Sequence, residues 1–323
     1  MDAVLLGSIL ATAVLVASMV SVEAGVSVAL IELALGIALG NVFNLNPDQA
    51  WLVFIASFAG VVLTFLAGAE VDPDDFRARF WPSVGMGVAS FVGPFVVATT
   101  VAIGPLGWTT RASLIAGTAL STTSLAVVYA VLVETRPEQR QRFVVLFALM
   151  VLGAEANSQA ILPAFVLGLV MSRHYRQHQE EQRRLRVVAF AFLTPFFFLR
   201  GGLNVSLSAV VANLGILAAL ATAKMVPKLG LVYPLARRHV TPNATFTTLL
   251  MSTGLTFGTI SALYGLTAHI IDRTQFSLLV TVVVLSAIVP TAIAQRWFSP
   301  PIPADQPHHL MPPDPSEILI GGQ

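Results

Sequence analysis

Four consecutive hydroxyl-bearing residues, Ser121, Thr122, Thr123 and Ser124, interrupt an apolar run at 111–133, and Thr256, Gly258, Thr259 and Ser261 repeat the theme in a second run at 245–268. Hydroxyls at that density compete with a helix's own hydrogen bonds, and glycine weakens it further, so both runs are expected to break. In hydrocarbon, a break survives only where the freed backbone groups face protein, water or an ion. Two broken helices meeting at mid-membrane would offer carbonyl and hydroxyl oxygens to a small cation. Such residues also serve close helix packing by bonding back to their own carbonyls. The ion-site reading therefore leans on the two segments occurring as a pair.

Ionisable groups within apolar runs cost about 2.5 to 3.5 kcal/mol each on insertion scales, so each requires a reason. Of the 17 acids only Glu32 and Glu155 lie well inside such a run. Glu155 opens the polar tip Glu155-Ala156-Asn157-Ser158-Gln159, where it is either a proton-titratable carboxylate or the cap of a hairpin reached by water. Glu32 shares its run with Gly36 and Gly40 and reads as a buried structural acid. Arg200, after Phe196-Phe197-Phe198, belongs to a helix end or answers a carboxylate or anion. Lys224 calls for an acidic partner such as Glu155, or for backbone carbonyls.

These groups are embedded in a chain that cannot build a water-facing surface. Of 323 residues 55% are hydrophobic and 11% charged, with a mean hydropathy of +0.79, against about 25% charged in soluble domains. A helix needs about 20 apolar residues to cross a bilayer. Eleven candidate spans, some transmembrane and the shorter ones re-entrant, fall at 3–22, 26–44, 51–69, 82–104, 111–133, 143–156, 160–172, 187–203, 208–235, 245–268 and 275–296. The fold class is an all-α polytopic membrane protein, with a membrane domain at 1–296 and a disordered, proline-rich cytoplasmic tail at 297–323. Apart from Arg200, Lys224 and Lys228 inside spans, 13 basic residues fall in one set of loops and two, Arg111 and Arg273, in the other. By the positive-inside rule the N-terminus is expected outside and the C-terminus in the cytoplasm of a cell-membrane protein.

Several function classes drop out on composition. A balance of 18 basic against 17 acidic residues gives no field for nucleic acid. Cysteine is absent, which removes thiolate sites. His174 and His178 are spaced i, i+4, and His308 and His309 lie in the tail, but no third ligand is near in sequence; no metal and no cofactor is assigned. No Asp/Asp or Ser/His dyad or H-E-x-x-H motif lies in the spans, so an intramembrane enzyme is not expected. No strand followed by G-x-G-x-x-G marks a nucleotide-sensing domain.

The chain repeats itself. Thr118–Val131 aligns with Thr253–Leu266 at a shift of 135, sharing Thr118/Thr253, Leu120/Leu255 and Tyr129/Tyr264. Phe65-Leu66-Ala67-Gly68 aligns with Phe198-Leu199-Arg200-Gly201 at 133. The paired spans run in opposite directions by the charge count. Inverted repeats of this kind are the architecture of alternating-access carriers.

The runs FLAGAEVDPDDF (65–76), STTSLAVVYAVL (121–132), PAFVLGLVMS (163–172), TPFFFLRGGLNVSL (194–207) and STGLTFGTISALYGL (252–266) resemble the membrane domain of the monovalent cation:proton antiporter-2 family, with its Kef-type potassium/proton and related sodium/proton exchangers. The likeness covers nearly the whole chain to about residue 296. It implies a dimer-forming panel, a core panel, and two crossing broken helices framing one ion site. It further implies sodium or potassium and protons as substrates, and a homodimer, for which Gly36-Ile37-Ala38-Leu39-Gly40 provides a close-contact face. Thr122, Thr123 and Ser124 match the family's ion-site break, and Lys224, with Lys228 one turn later, matches its membrane lysine. The chain departs from the family after Glu134: two of thirteen expected helices, including the one bearing the ion-site aspartate, are missing. The alternative that this raises is a transport-inactive homologue or a dimerising membrane scaffold.

Overall fold

The computed structural model describes residues 3–24, 27–70, 80–122, 161–239 and 243–298, and the elements found there are helical. In chain order they are α1 (Ala3–Ala24), α2 (Val28–Val42), α3 (Ala50–Ala69), α4 (Phe80–Ile103), α5 (Thr110–Ser121), α6 (Ile161–Gln177), α7 (Gln179–Val188), a π segment (Ala189–Leu193), α8 (Thr194–Leu203), α9 (Leu207–Ala212), α10 (Leu214–His239), α11 (Ala244–Met251), α12 (Leu255–Thr267) and α13 (Arg273–Trp297). Among the described residues seven helical stretches are long and apolar enough to cross a membrane, and α2 is a shorter apolar one. The chain is a multi-pass membrane protein. The expected span at 143–156, the part of 111–133 beyond Thr122, and the tail beyond 298 lie outside the described residues.

Local sequence sets the helix ends. The Thr109 hydroxyl accepts the Ala112 amide at the start of α5, and Asp272 opens α13 with a reciprocal capping box to Gln275. Each such cap satisfies amides that the first turn leaves unpaired. Pro195 has no amide to donate, and the helix loosens into the π segment just before it, where the Thr194 hydroxyl bonds the Ala189 carbonyl at 2.9 Å. Three expected boundaries move, one of them at 187–203, where α7 brings helix in from Gln179. The run at 160–172 extends as α6 to Gln177, its polar continuation including the good helix formers Arg173, Arg176 and Gln177. The run at 208–235 divides at Asn213 into α9 and α10.

Packing sorts the helices into two groups. Helices α1, α2, α3, α6, α7 and α8 pack among themselves, as do α4, α5 and α9 to α13, and every extensive helix pair among the described residues lies within one group. Within the first group, glycines let two pairs of parallel helices touch backbone to backbone. A Cβ on Gly68 of α3 would stand 2.2 Å from the Phe165 carbonyl of α6, and one on Gly168 of α6 would stand 2.0 Å from the Phe65 carbonyl of α3. In the second pair, a Cβ on Gly36 of α2 would stand 2.3 Å from the Leu199 carbonyl of α8, and one on Gly202 of α8 would stand 2.3 Å from the Leu33 carbonyl of α2. Gly36 and Gly168 are 132 residues apart, and Gly68 and Gly202 are 134 apart, bracketing the repeat shift of 133. The two repeats are thus interleaved, each helix of one seated on a helix of the other.

Among the described residues three hydrogen-bonded connections tie the groups together at the end opposite the arginine-rich segments, one of them from the Leu207 amide of α9 to Asn41 Oδ1 of α2 at 3.0 Å. Arg273 donates from Nε to the Asn204 carbonyl at 3.1 Å and from its terminal nitrogen to the Leu203 carbonyl at 3.2 Å. The Ser206 amide donates to Ser277 Oγ at 2.8 Å. At the arginine-rich end Glu70, which caps α3, pairs with Arg186 of α7. Burial pushes the Glu70 carboxyl above the usual carboxylate range, and the charge and hydrogen bond of Arg186 offset part of that rise.

Candidate functional site

Helix α5 stops at Ser121, and Thr122 turns into an extended conformation with ψ of 150°. The opposing strip breaks between α11 and α12, over Ser252, Thr253 and Gly254. There the hydroxyls of Ser252 and Thr253 bond back to the carbonyls of Thr248 and Leu250 at 2.9 and 2.7 Å, which satisfies the frayed end of α11. The second break therefore falls ahead of Thr256, Gly258 and Thr259, which are helical residues of α12. Gly258 lets α12 close on α5: a Cβ there would stand 2.9 Å from the Ala119 carbonyl. Thr259 is fully buried and bonds the Leu255 carbonyl at 2.7 Å.

The two breaks touch. A Cβ on Gly254 would stand 2.4 Å from the Thr122 carbonyl, so only glycine lets the chains cross this closely. The Thr122 hydroxyl donates to the Ala119 carbonyl at 3.1 Å and reaches the Gly254 carbonyl at 3.5 Å.

A lysine closes the crossing. Lys228 of α10, fully buried, donates from Nζ to the Thr122 carbonyl at 2.7 Å and to the Met251 carbonyl at 3.2 Å. Each acceptor lies at the C-terminal end of a helix, where the macrodipole is negative and the carbonyls lack intrahelical donors. One ammonium thus answers both broken ends. Lys224, one turn earlier and also fully buried, has no hydrogen-bond partner for Nζ among the described residues. The family resemblance points to Lys224, with Lys228 one turn later, and it is the Lys228 ammonium that meets the two carbonyls. Which lysine meets the carbonyls depends on the rotation of α10, which spacing alone does not set.

The remaining candidates lie apart from the crossing. Glu32 of α2 is 1% exposed, and its Oε2 has no partner among the described residues. Arg200 of α8 is buried, donating from Nε to the Pro47 carbonyl at 3.1 Å, with Asp48 at 3.7 Å. It lines a small cleft of about 20 Å³ between α3, α8 and α12, bounded by Ser57, Gly60, Phe197, Ile260, Tyr264 and Thr267 among others. Thr123, Ser124 and Glu155 lie outside the described residues.

What the arrangement offers chemically is a desolvated cluster of carbonyl oxygens at the meeting of two helix breaks, already occupied by a positive charge. Compared with known families, the chain matches sodium/hydrogen exchanger, transmembrane, over residues 9–152 and 134–298. No curated protein matches it.

Proposed function

The chain belongs to the sodium/hydrogen exchanger transmembrane family, and from that premise we propose that it exchanges protons for a monovalent cation, sodium or potassium, at the crossing of α5 with α11 and α12. The carrying observation is the seat of Lys228 on the Thr122 and Met251 carbonyls. Carbonyl oxygens freed at a break are the ligands that a dehydrated monovalent cation needs, and a tethered ammonium holds that place with one positive charge. A cation entering there competes with that charge, which links its binding to the release of a positive charge elsewhere. Two groups of helices whose extensive contacts lie within each group fit a carrier that exposes such a site alternately to either side.

The finer placement is the Kef-type branch of the cation:proton antiporters, with two helices fewer than its usual thirteen. Supporting the shortening, the family match falls into two stretches that overlap over 134–152, next to Glu134 where the likeness departs. Thr123, Ser124 and Glu155 complete the proposed ion site, Glu155 as the titratable carboxylate. The N-terminus faces outward and the C-terminus the cytoplasm.

Purified protein in liposomes with an imposed pH gradient is expected to dissipate that gradient when sodium or potassium is added, and one cation is expected to act at lower concentration than the other. Folded protein giving no cation-dependent proton flux would sink the proposal in favour of a transport-inactive homologue. Conductance without coupled proton movement would make it a channel. A homodimer is the proposed assembly. Mass measurement in detergent is expected to give twice 34.3 kDa of protein, and monomer at all concentrations would count against it.

A further inference from the structure

Glu32 is the only acid buried among the described residues, and the helix crossing makes no use of it. Its place follows from the register of α2 on α8. A Cβ on Gly36 would meet the Leu199 carbonyl, and one on Gly40 would meet the Leu203 carbonyl. One turn earlier, the same register sets Glu32 against Pro195 in the first turn of α8. That turn has little to give a carboxylate. Pro195 has no amide hydrogen, and the Thr194 hydroxyl already bonds the Ala189 carbonyl. Arg200, the only base on α8, stands five residues further on and donates to the Pro47 carbonyl. Helix α1, which also packs on α2, carries one titratable residue, the exposed Glu23, and α12, which meets Gly201 of α8, carries no charged residue. Among the described residues Oε2 of Glu32 accordingly has no hydrogen-bond partner.

Packing does not ask for an acid here, because the chain builds the same seat a second time without one. Gly36 of α2 and Gly168 of α6 are repeat counterparts, and four residues before Gly168 the place of Glu32 is taken by Ala164, fully buried. Helices α3 and α6 close there on a methyl group. A structural acid would need a donor, and the cost of enclosing a carboxyl without one falls on its ionised form. A proton on the carboxyl removes that cost.

Water is a short way off. Helix α2 runs parallel to α8 and begins at Val28, four residues or about 6 Å before Glu32, at the end where α7 carries the arginines. The π segment Ala189–Leu193 lies just ahead of Pro195 on that side, a widened turn of the kind that gathers at functional positions.

We propose that Glu32 is a proton-binding site of this chain, a carboxyl that gives one proton to water at the arginine-rich end and takes it back, with no other bond made or broken. The inference rests on the cation-exchange reading and adds to it a proton site on α2, apart from the crossing.

The test uses dicyclohexylcarbodiimide, an apolar reagent that adds to protonated carboxyls, applied briefly to the full-length protein in oriented liposomes, with the labelled peptide identified by mass. Glu32 is expected to be labelled at least about 10-fold more slowly at about pH 9 than at about pH 6, following the pH on the arginine-rich side. In the exchange assay Glu32→Gln is expected to lower the rate about 10-fold or more and to flatten its dependence on pH, and Glu32→Asp to keep that dependence.

A Glu32→Gln protein, folded by its melting temperature, that exchanges with the parental pH profile would overturn the inference and return Glu32 to a structural role. If that variant does not fold, labelling of the parental protein carries the test. No label on Glu32, equal label at the two pH values, or label that follows the pH of the opposite side overturns the inference. A parental protein that exchanges no cation but labels Glu32 as expected would sink the exchange reading and leave the proton site standing.

Discussion

Gly168→Ala is expected to destabilise the protein by about 1 to 3 kcal/mol, and Gly168→Val by more, although neither change touches the helix crossing. The added Cβ would lie 2.0 Å from the Phe65 carbonyl and 2.8 Å from the Ala69 amide of α3, and backbone atoms of a packed helix have no rotamer by which to yield. Helices α3 and α6 would have to separate along their whole contact, giving up the close approach that small residues provide in membranes. Gly202→Ala is expected to act alike, meeting the Leu33 carbonyl at 2.3 Å and the Ile37 amide at 2.7 Å. Gly230 of α10 has nothing within 4 Å, and Gly230→Ala is expected to be neutral or stabilising by about 1 kcal/mol, since alanine is the better helix former. Thermal unfolding in one detergent compares the three. A Gly168→Ala protein that melts with the Gly230→Ala protein would mean that the seats are not as tight as described.

The two buried lysines should respond in opposite ways to the same substitution. Lys228→Met removes two charge-assisted hydrogen bonds and leaves the Thr122 and Met251 carbonyls without their donor. The expected loss is about 2 to 4 kcal/mol, with cation-dependent proton flux abolished. Lys224→Met replaces an ammonium that has no partner among the described residues by an apolar chain of similar size, and is expected to be neutral or stabilising. The proposal that Glu155 partners Lys224 predicts otherwise. In that case Lys224→Met alone costs about 3 to 5 kcal/mol and the double variant with Glu155→Gln recovers most of it. A double-mutant cycle read by thermal stability decides between the two, and additive effects remove Glu155 from the site.

What the sequence made legible follows from which forces are local. The apolar runs located most of the described helices to within a few residues, because the hydrocarbon thickness sets a length that composition must match, whereas α7, polar and rich in arginine, carries no such signal. The hydroxyl runs also announced the breaks, since Thr122 ends α5 and Ser252 to Gly254 separate α11 from α12. The finer position of the second break was not legible. Thr256 and Thr259 look as able to interrupt a helix as Ser252 and Thr253, and the choice is made by Gly254, which alone admits the Thr122 backbone. Arg200 is a similar case. Its partners, Pro47 and Asp48, are some 150 residues away in the chain, and no spacing rule reaches that far. Gly36 and Gly40 were visible as a small-residue face, but their seat on Leu199 and Leu203 is inside the same chain, so that face is already used without a second copy.

The interleaving of the two repeats also dictates a timetable. During synthesis at about 5 to 20 residues per second, α3 is complete long before its seat exists, because Gly168 follows Gly68 by 100 residues, or about 5 to 20 seconds. Helix α2 waits longer still, since Gly202 follows Gly36 by 166 residues, or about 8 to 33 seconds. Neither helix finds its backbone-to-backbone partner among the residues made first, so the leading half of a nascent chain presents bare glycine faces to whatever else the bilayer holds. Biogenesis therefore depends on keeping those faces apart from each other and from neighbouring proteins until the trailing half arrives, and the interval of greatest vulnerability ends only when α8 inserts.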